Sequence, residues 1–154
     1  TALRRRFSFI EMPPKPHLIK SVDKTSEGVI GGIDLAELLK VINRRIEQLM
    51  DKDHMIGHSY FMNINTVSDL KKAFQNKIIP LLQEYFYGDF GKIGLILGRG
   101  FMEDVQNGLE GDVFADYPEY DSSSLIERRV LRLKDVVKMN EEEFSSAINI
   151  LLRK

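Results

Sequence analysis

The chain has 154 residues, 43% of them apolar and 29% charged, with a net charge of −1, which suits one globular domain with a real core. It contains no cysteine, excluding disulfides and thiolate zinc sites and fitting a reducing cytoplasm, the expected location. No run of about 18 apolar residues suggests a membrane span, and a net charge near zero gives the domain no long-range pull on nucleic acid.

In chain order, residues 6–12 read as a short strand. Phe7, Phe9 and Ile10 favour β structure, and Pro13-Pro14 ends it. The run is apolar on both faces apart from Ser8, as in a strand covered by helices in a parallel sheet. The apolar stretch between Arg6 and Glu11 is too short for the core of a secretory signal. No further strand of this kind follows, which places the expected sheet upstream. Residues 21–32 form a polar, Gly-rich connection.

Asp34 then opens a helix, with Glu37 three residues on to complete a capping box. Leu35, Leu38, Leu39, Ile42, Ile46, Leu49 and Met50 recur at helical spacing, and the helix is expected to end near Asp51. A second helix is expected over 68–87, with Thr66 and Asp69 at its start. Its stripe is Leu70, Ala73, Phe74, Ile78, Leu81, Leu82, Tyr85 and Phe86. Pro80 inside it removes a backbone donor and is expected to bend it. Gly88 closes that helix, and Asp89 caps a short one ending near Gly98.

From 100 to 127 there is no lysine or arginine but eight acids: Glu103, Asp104, Glu110, Asp112, Asp116, Glu119, Asp121 and Glu127. A solvated acidic loop is the plain reading and a docking site the sharper one. Residues 127–137 suit either a strand or a helix end. The last helix is capped by Asn140, carries Glu141, Glu142 and Glu143 in its first turn, and has Phe144, Ala147, Ile148, Leu151 and Leu152 as its stripe. The pattern is a small, mainly helical bundle with one edge strand in front.

Few residues suggest chemistry. Neither G-x-x-x-x-G-K-[ST] nor G-x-G-x-x-G occurs. His17, His54 and His58 lack metal-ligand spacing, and no G-x-S-x-G elbow is present, so no metal site is expected. What remains is Arg4, Arg5 and Arg6 abutting a buried-type strand. Adjacent arginines are commonly just solvated, but a guanidinium on a rigid strand end also matches phosphate oxygens.

The string Ala2-Leu3-Arg4-Arg5-Arg6-Phe7-Ser8-Phe9 resembles the segment after the first sensor motif in AAA+ GTPases of the McrB, methylcytosine-restriction type. Ile56-Gly57-His58-Ser59-Tyr60-Phe61 is similar to that family's lid signature. Residues 78–86, Ile-Ile-Pro-Leu-Leu-Gln-Glu-Tyr-Phe, resemble the lid helix that follows it. The resemblance spans about 2–98.

This resemblance implies a mainly α fold: a C-terminal helical lid bundle preceded by one edge strand of an α/β core outside the 154 residues. Residues 1–14 would end that core, 15–33 would link, and 34–154 would form the lid subdomain with its acidic loop. The chain is then expected to be the C-terminal piece of a longer protein, a ring-forming nucleoside triphosphatase, hexameric in this family. GTP, or ATP, with Mg would be its cofactors. A restriction endonuclease subunit would be its partner, and DNA would be contacted through regions outside this segment. Arg5 and Arg6, and less directly Arg4, take the position of arginine fingers acting on a neighbouring subunit. His58, Ser59 and Tyr60 occupy the second-sensor position, where most AAA+ proteins carry an arginine. Two other readings share much of the pattern: the lid of a MoxR-like or other AAA+ chaperone, and a free-standing helical module that docks partners through its acidic loop.

Overall fold

A computed structural model of the chain describes residues 10–19, 28–105 and 114–154. The arginines at positions 4, 5 and 6, and the expected strand over 6–9, lie outside those residues. The end of that expected strand, 10–12, forms no strand, and Ile10 and Met12 are exposed. The chain divides into two compact units, Thr1–Thr66 and Val67–Lys154. Helices dominate, with two small strand pairs beside them. No helix among the described residues is long and apolar enough to cross a membrane.

In the first unit, β1 (Val29–Ile30) and β2 (Ile33–Asp34) form a two-residue antiparallel hairpin where only a polar connection was expected. Its turn is Gly31-Gly32, with φ of 56° and 77°. Positive φ at both central residues is what a type I′ turn demands, and glycine meets that demand without steric cost. The hairpin buries Ile30 and Ile33 and delivers the chain directly into α1 (Leu35–Leu49). There the Asp34 carboxylate accepts from the N–H groups of Ala36 and Glu37 at 2.9 and 3.0 Å. Leu35, Leu38, Leu39, Ile42 and Ile46 are at most 1% exposed. Each such aliphatic side chain contributes roughly 1.5–3 kcal/mol on leaving water.

The second unit opens with a helix running from Val67 to Tyr85 without a break, in three parts. These are α2 (Val67–Ala73), a π-helical turn (Phe74–Ile78) and α3 (Ile79–Tyr85). Pro80 explains the middle part. It cannot donate to the carbonyl four residues back, and its ring would clash with that carbonyl in a regular helix. Widening the preceding turn to i→i+5 bonding removes the clash and keeps the chain helical. The helix ends at Tyr87, left-handed at φ 49°, with Gly88 N–H donating to the Gln83 carbonyl at 3.1 Å. Then come α4 (Phe90–Leu97), capped by Asp89, a short α5 (Ser123–Ile126) and α6 (Glu141–Leu152). At the start of α6, Asn140 and Glu143 form a complete capping box.

The expected acidic loop over 100–127 is partly regular structure. Arg99–Phe101 is a 3-10 turn with Phe101 fully buried. Directly after it, β3 (Met102–Asp104) pairs antiparallel with β4 (Leu131–Leu133), placing Glu103 opposite Arg132. This resolves the ambiguous 127–137 segment as strand followed by a 3-10 turn, Val136–Lys138. Three rings centre the unit. Phe74 stacks on Phe101 with centroids 5.2 Å apart, and Phe144 meets both edge-on at 5.9 and 6.2 Å. Such offset and edge-to-face pairs are the geometries the ring quadrupole favours. Around them the Lys71 ammonium donates to the Met139 carbonyl, and the Gln75 side-chain carbonyl accepts from the Val136 N–H at 2.8 Å.

Two tests follow. Leu39→Ala and Leu82→Ala, each truncating a side chain with no exposed surface, are expected to cost about 2–5 kcal/mol in urea unfolding; costs below half a kcal/mol would contradict the packing. A Cβ on Gly100 would lie 2.6 Å from the Cα of Ala147, so Gly100→Ala must push α6 away. That substitution is expected to cost about 1–3 kcal/mol, and a neutral result would refute the close approach.

Candidate functional site

His58, Ser59 and Tyr60 share one 3-10 turn, His58–Phe61, in the first unit. Apolar anchors bracket it: Ile56 is 1% exposed and Phe61 fully buried. Ser59 projects to solvent, while His58 and Tyr60 are half-buried. Gly57, just ahead of the turn, does not need to be glycine on conformational grounds. Its φ and ψ of −67° and 151° are ordinary extended values. An added Cβ would touch only the Ser59 hydroxyl oxygen, at 3.5 Å. The left-handed residue is Asn63, at φ 61°, two positions after the turn.

What holds the turn is a residue that sequence reasoning passed over. Asn43, in the middle of α1, is 5% exposed. Its amide nitrogen donates to the Ile56 carbonyl at 2.8 Å, and its amide oxygen accepts from the Ile56 N–H at 2.6 Å. One side chain therefore satisfies both backbone groups of a buried residue, as a neighbouring strand would. The signal was present in the spacing. Leu39, Asn43 and Ile46 are separated by four and three residues, so helical periodicity puts the amide on the buried face.

The histidines are each engaged separately. His58 Nδ1 accepts from the Lys15 N–H at 3.1 Å, which makes the ring neutral with its proton on Nε2. His54 Nδ1 lies 2.7 Å from the Asp51 carboxylate, which also accepts from the N–H groups of Asp53 and His54. The hydrogen bond from His54 is the main reason the Asp51 carboxyl sits below its ordinary pKa. No group of His, Cys, Asp or Glu among the described residues could hold a metal ion. Near the turn, Lys52 pairs with Glu11 at 2.8 Å, and that hydrogen bond holds the ammonium pKa above its ordinary value. In the second unit, a groove of about 670 Å³ has Arg99 and Lys134 among its walls together with Glu142 and Glu143. Its charges offset one another, and Glu143 already serves the α6 cap.

With this geometry in place, a comparison with known families is decisive for part of the chain. Residues 34–94 match the model of the McrB alpha-helical lid domain. The match supports a McrB-type helical lid over this segment. The match begins at the α1 cap, includes the Asn43 clamp and the 58–61 turn, and ends within α4. No curated protein matches the chain. The lid signature and the helix after it, two of the three strings carrying the resemblance, fall inside the matched residues. The arginine string precedes them.

Removing the clamp isolates its contribution. Asn43→Ala leaves the Ile56 N–H and carbonyl buried and unsatisfied, at about 1–3 kcal/mol for each group. The expected result is a large loss in urea-unfolding stability, with altered amide resonances confined at first to 56–61. A cost under half a kcal/mol would mean that water replaces the amide and the clamp is incidental.

Proposed function

We propose that this chain supplies the lid and the trans-acting arginine segment of a ring-forming AAA+ nucleoside triphosphatase of the McrB type. GTP is the expected substrate, a hexamer the expected ring, and an endonuclease subunit of a modification-dependent restriction complex the expected partner. The carrying observation is the lid match over 34–94, within which the 58–61 turn lies. The run Arg4, Arg5, Arg6 ahead of it adds support.

The fit to a bound nucleotide is partial. The turn offers the Nε2–H of His58, the Ser59 hydroxyl and the Tyr60 phenol, all hydrogen-bonding groups, and no cation. Those groups suit ribose, base or a phosphate edge, whereas the phosphate charge and Mg would be held by a phosphate-binding core outside these 154 residues. The nucleotide and its metal, when bound, supply the phosphoryl group and neutralise its charge. This chain's part is to shape the lid side of the pocket and to present Arg5 and Arg6 to the neighbouring subunit. A guanidinium placed there stabilises charge that develops only as the phosphoryl group transfers.

In the protein carrying its nucleotide core, Arg5→Ala or Arg6→Ala is expected to slow hydrolysis by roughly 10³–10⁵. Nucleotide affinity should stay within about tenfold, because the contact is made mainly in the transition state. Lysine should rescue poorly, lacking the fork geometry. Mixing arginine-variant subunits with subunits defective in the phosphate loop should restore activity, since some interfaces then join an intact pocket to an intact finger. Normal hydrolysis by the single variants would overturn the assignment. The 154-residue chain alone is expected to show no micromolar GTP binding in calorimetry, and such binding would point to a self-contained site.

A further inference from the structure

The segment ahead of α1 is held by two contacts from positions close together, one to Lys52 and one to the 58–61 turn. Glu11 pairs with Lys52 at 2.8 Å, and the Lys15 N–H donates to His58 Nδ1 at 3.1 Å. The stretch that includes the second of these positions is Pro13-Pro14-Lys15-Pro16. Proline fixes φ and has no N–H, so this stretch is stiff and carries a single backbone donor, that of Lys15. His58 takes that donor. On the far side the strap is anchored as well: Pro16–Leu18 forms a 3-10 turn, and Ile19 is 3% exposed.

We propose that His58 is a positioning residue, acting through Nδ1 as a latch that sets the 10–15 strap and the 58–61 turn in one fixed relation. This role uses Nδ1 and is separate from any contact that the Nε2–H makes with a nucleotide. The consequence for catalysis rests on the function proposed above. Arg6 precedes Ile10 by four residues in the sequence, so under that function the strap is the described segment nearest in sequence to the arginines. A stiff tether with one latch transmits a displacement of the turn to the strap, which a flexible linker would absorb.

The two ring nitrogens can be separated by substitution. Asparagine places its amide oxygen, an acceptor, near the position of Nδ1, and glutamine places its amide nitrogen, a donor, near Nε2. In the full 154-residue chain, amide hydrogen exchange at Lys15 is expected to be about tenfold faster in His58→Ala, the factor set by losing one hydrogen bond. His58→Asn should restore protection and His58→Gln should not. Unchanged exchange at Lys15 in His58→Ala, or rescue by Gln rather than Asn, would overturn the latch. Should the alanine variant fail to fold, the Asn and Gln pair alone decides. In the protein with its nucleotide core, hydrolysis should follow the same order, with kcat lowered and KM little changed. Hydrolysis retained by Gln and lost with Asn would assign Nε2 to the nucleotide and overturn the latch's consequence for catalysis. If exchange follows the expected order while the arginine variants hydrolyse normally, the latch stands and the proposed function fails.

Discussion

The buried amide of Asn43 is the constraint on which the lid turn depends. An unpaired backbone N–H or carbonyl at Ile56 would cost more than a typical hydrogen bond returns, and only the Asn43 amide meets both groups, at 2.6 and 2.8 Å. Because α1 is rigid and packed along its whole stripe, the amide is fixed, and so is Ile56 thirteen residues later. Phe61 closes the other side of the turn. His58, Ser59 and Tyr60 are therefore displayed between two buried anchors, with no need for long helical structure of their own.

The second unit solves a different problem, that of keeping a helix whole across an internal proline. The π turn over Phe74–Ile78 does more than relieve Pro80. It contains Phe74, the ring that meets both Phe101 and Phe144, and Gln75, which satisfies the Val136 N–H. A regular helix would rotate every residue beyond the turn by about 100° for the one residue removed. The accommodation of Pro80 and the phase of the apolar stripe on either side are thus linked. Gly100 then admits the backbone of α6 at a distance that no side chain would tolerate.

Much of this was legible in the sequence, and what was not has identifiable physical reasons. Helices α1, α4 and α6 announced themselves through caps at Asp34, Asp89 and Asn140 followed by apolar stripes, because both signals are local. The Gly31-Gly32 pair was an equally local hairpin signal, read instead as part of a polar, Gly-rich connection because its strands are only two residues long. The pairing of Met102 with Leu133 is non-local, and three-residue strands leave little alternation to detect. Asn43 was missed for another reason. A polar residue in an amphipathic helix is ordinarily assigned to the solvent face, and only its four-and-three spacing from Leu39 and Ile46 argued otherwise. The 56–61 string stood out in the sequence, but the partner of His58, Lys15, lies 43 residues away, and nothing local in either segment names the other.

The chemistry of the turn constrains what a lid built this way can contribute. An arginine at the second-sensor position acts by charge, and its effect reaches several ångströms. A neutral imidazole, a hydroxyl and a phenol act only through aligned contacts near 3 Å. Lys52 is paired with Glu11. Under the proposed function, compensation of phosphate charge then falls to the arginines arriving from the next subunit and to the nucleotide core. Such a lid would matter through position rather than potential. That is consistent with how tightly this turn is placed: a buried amide beneath it, a fully buried phenylalanine behind it, and a proline-stiffened strap held at its histidine.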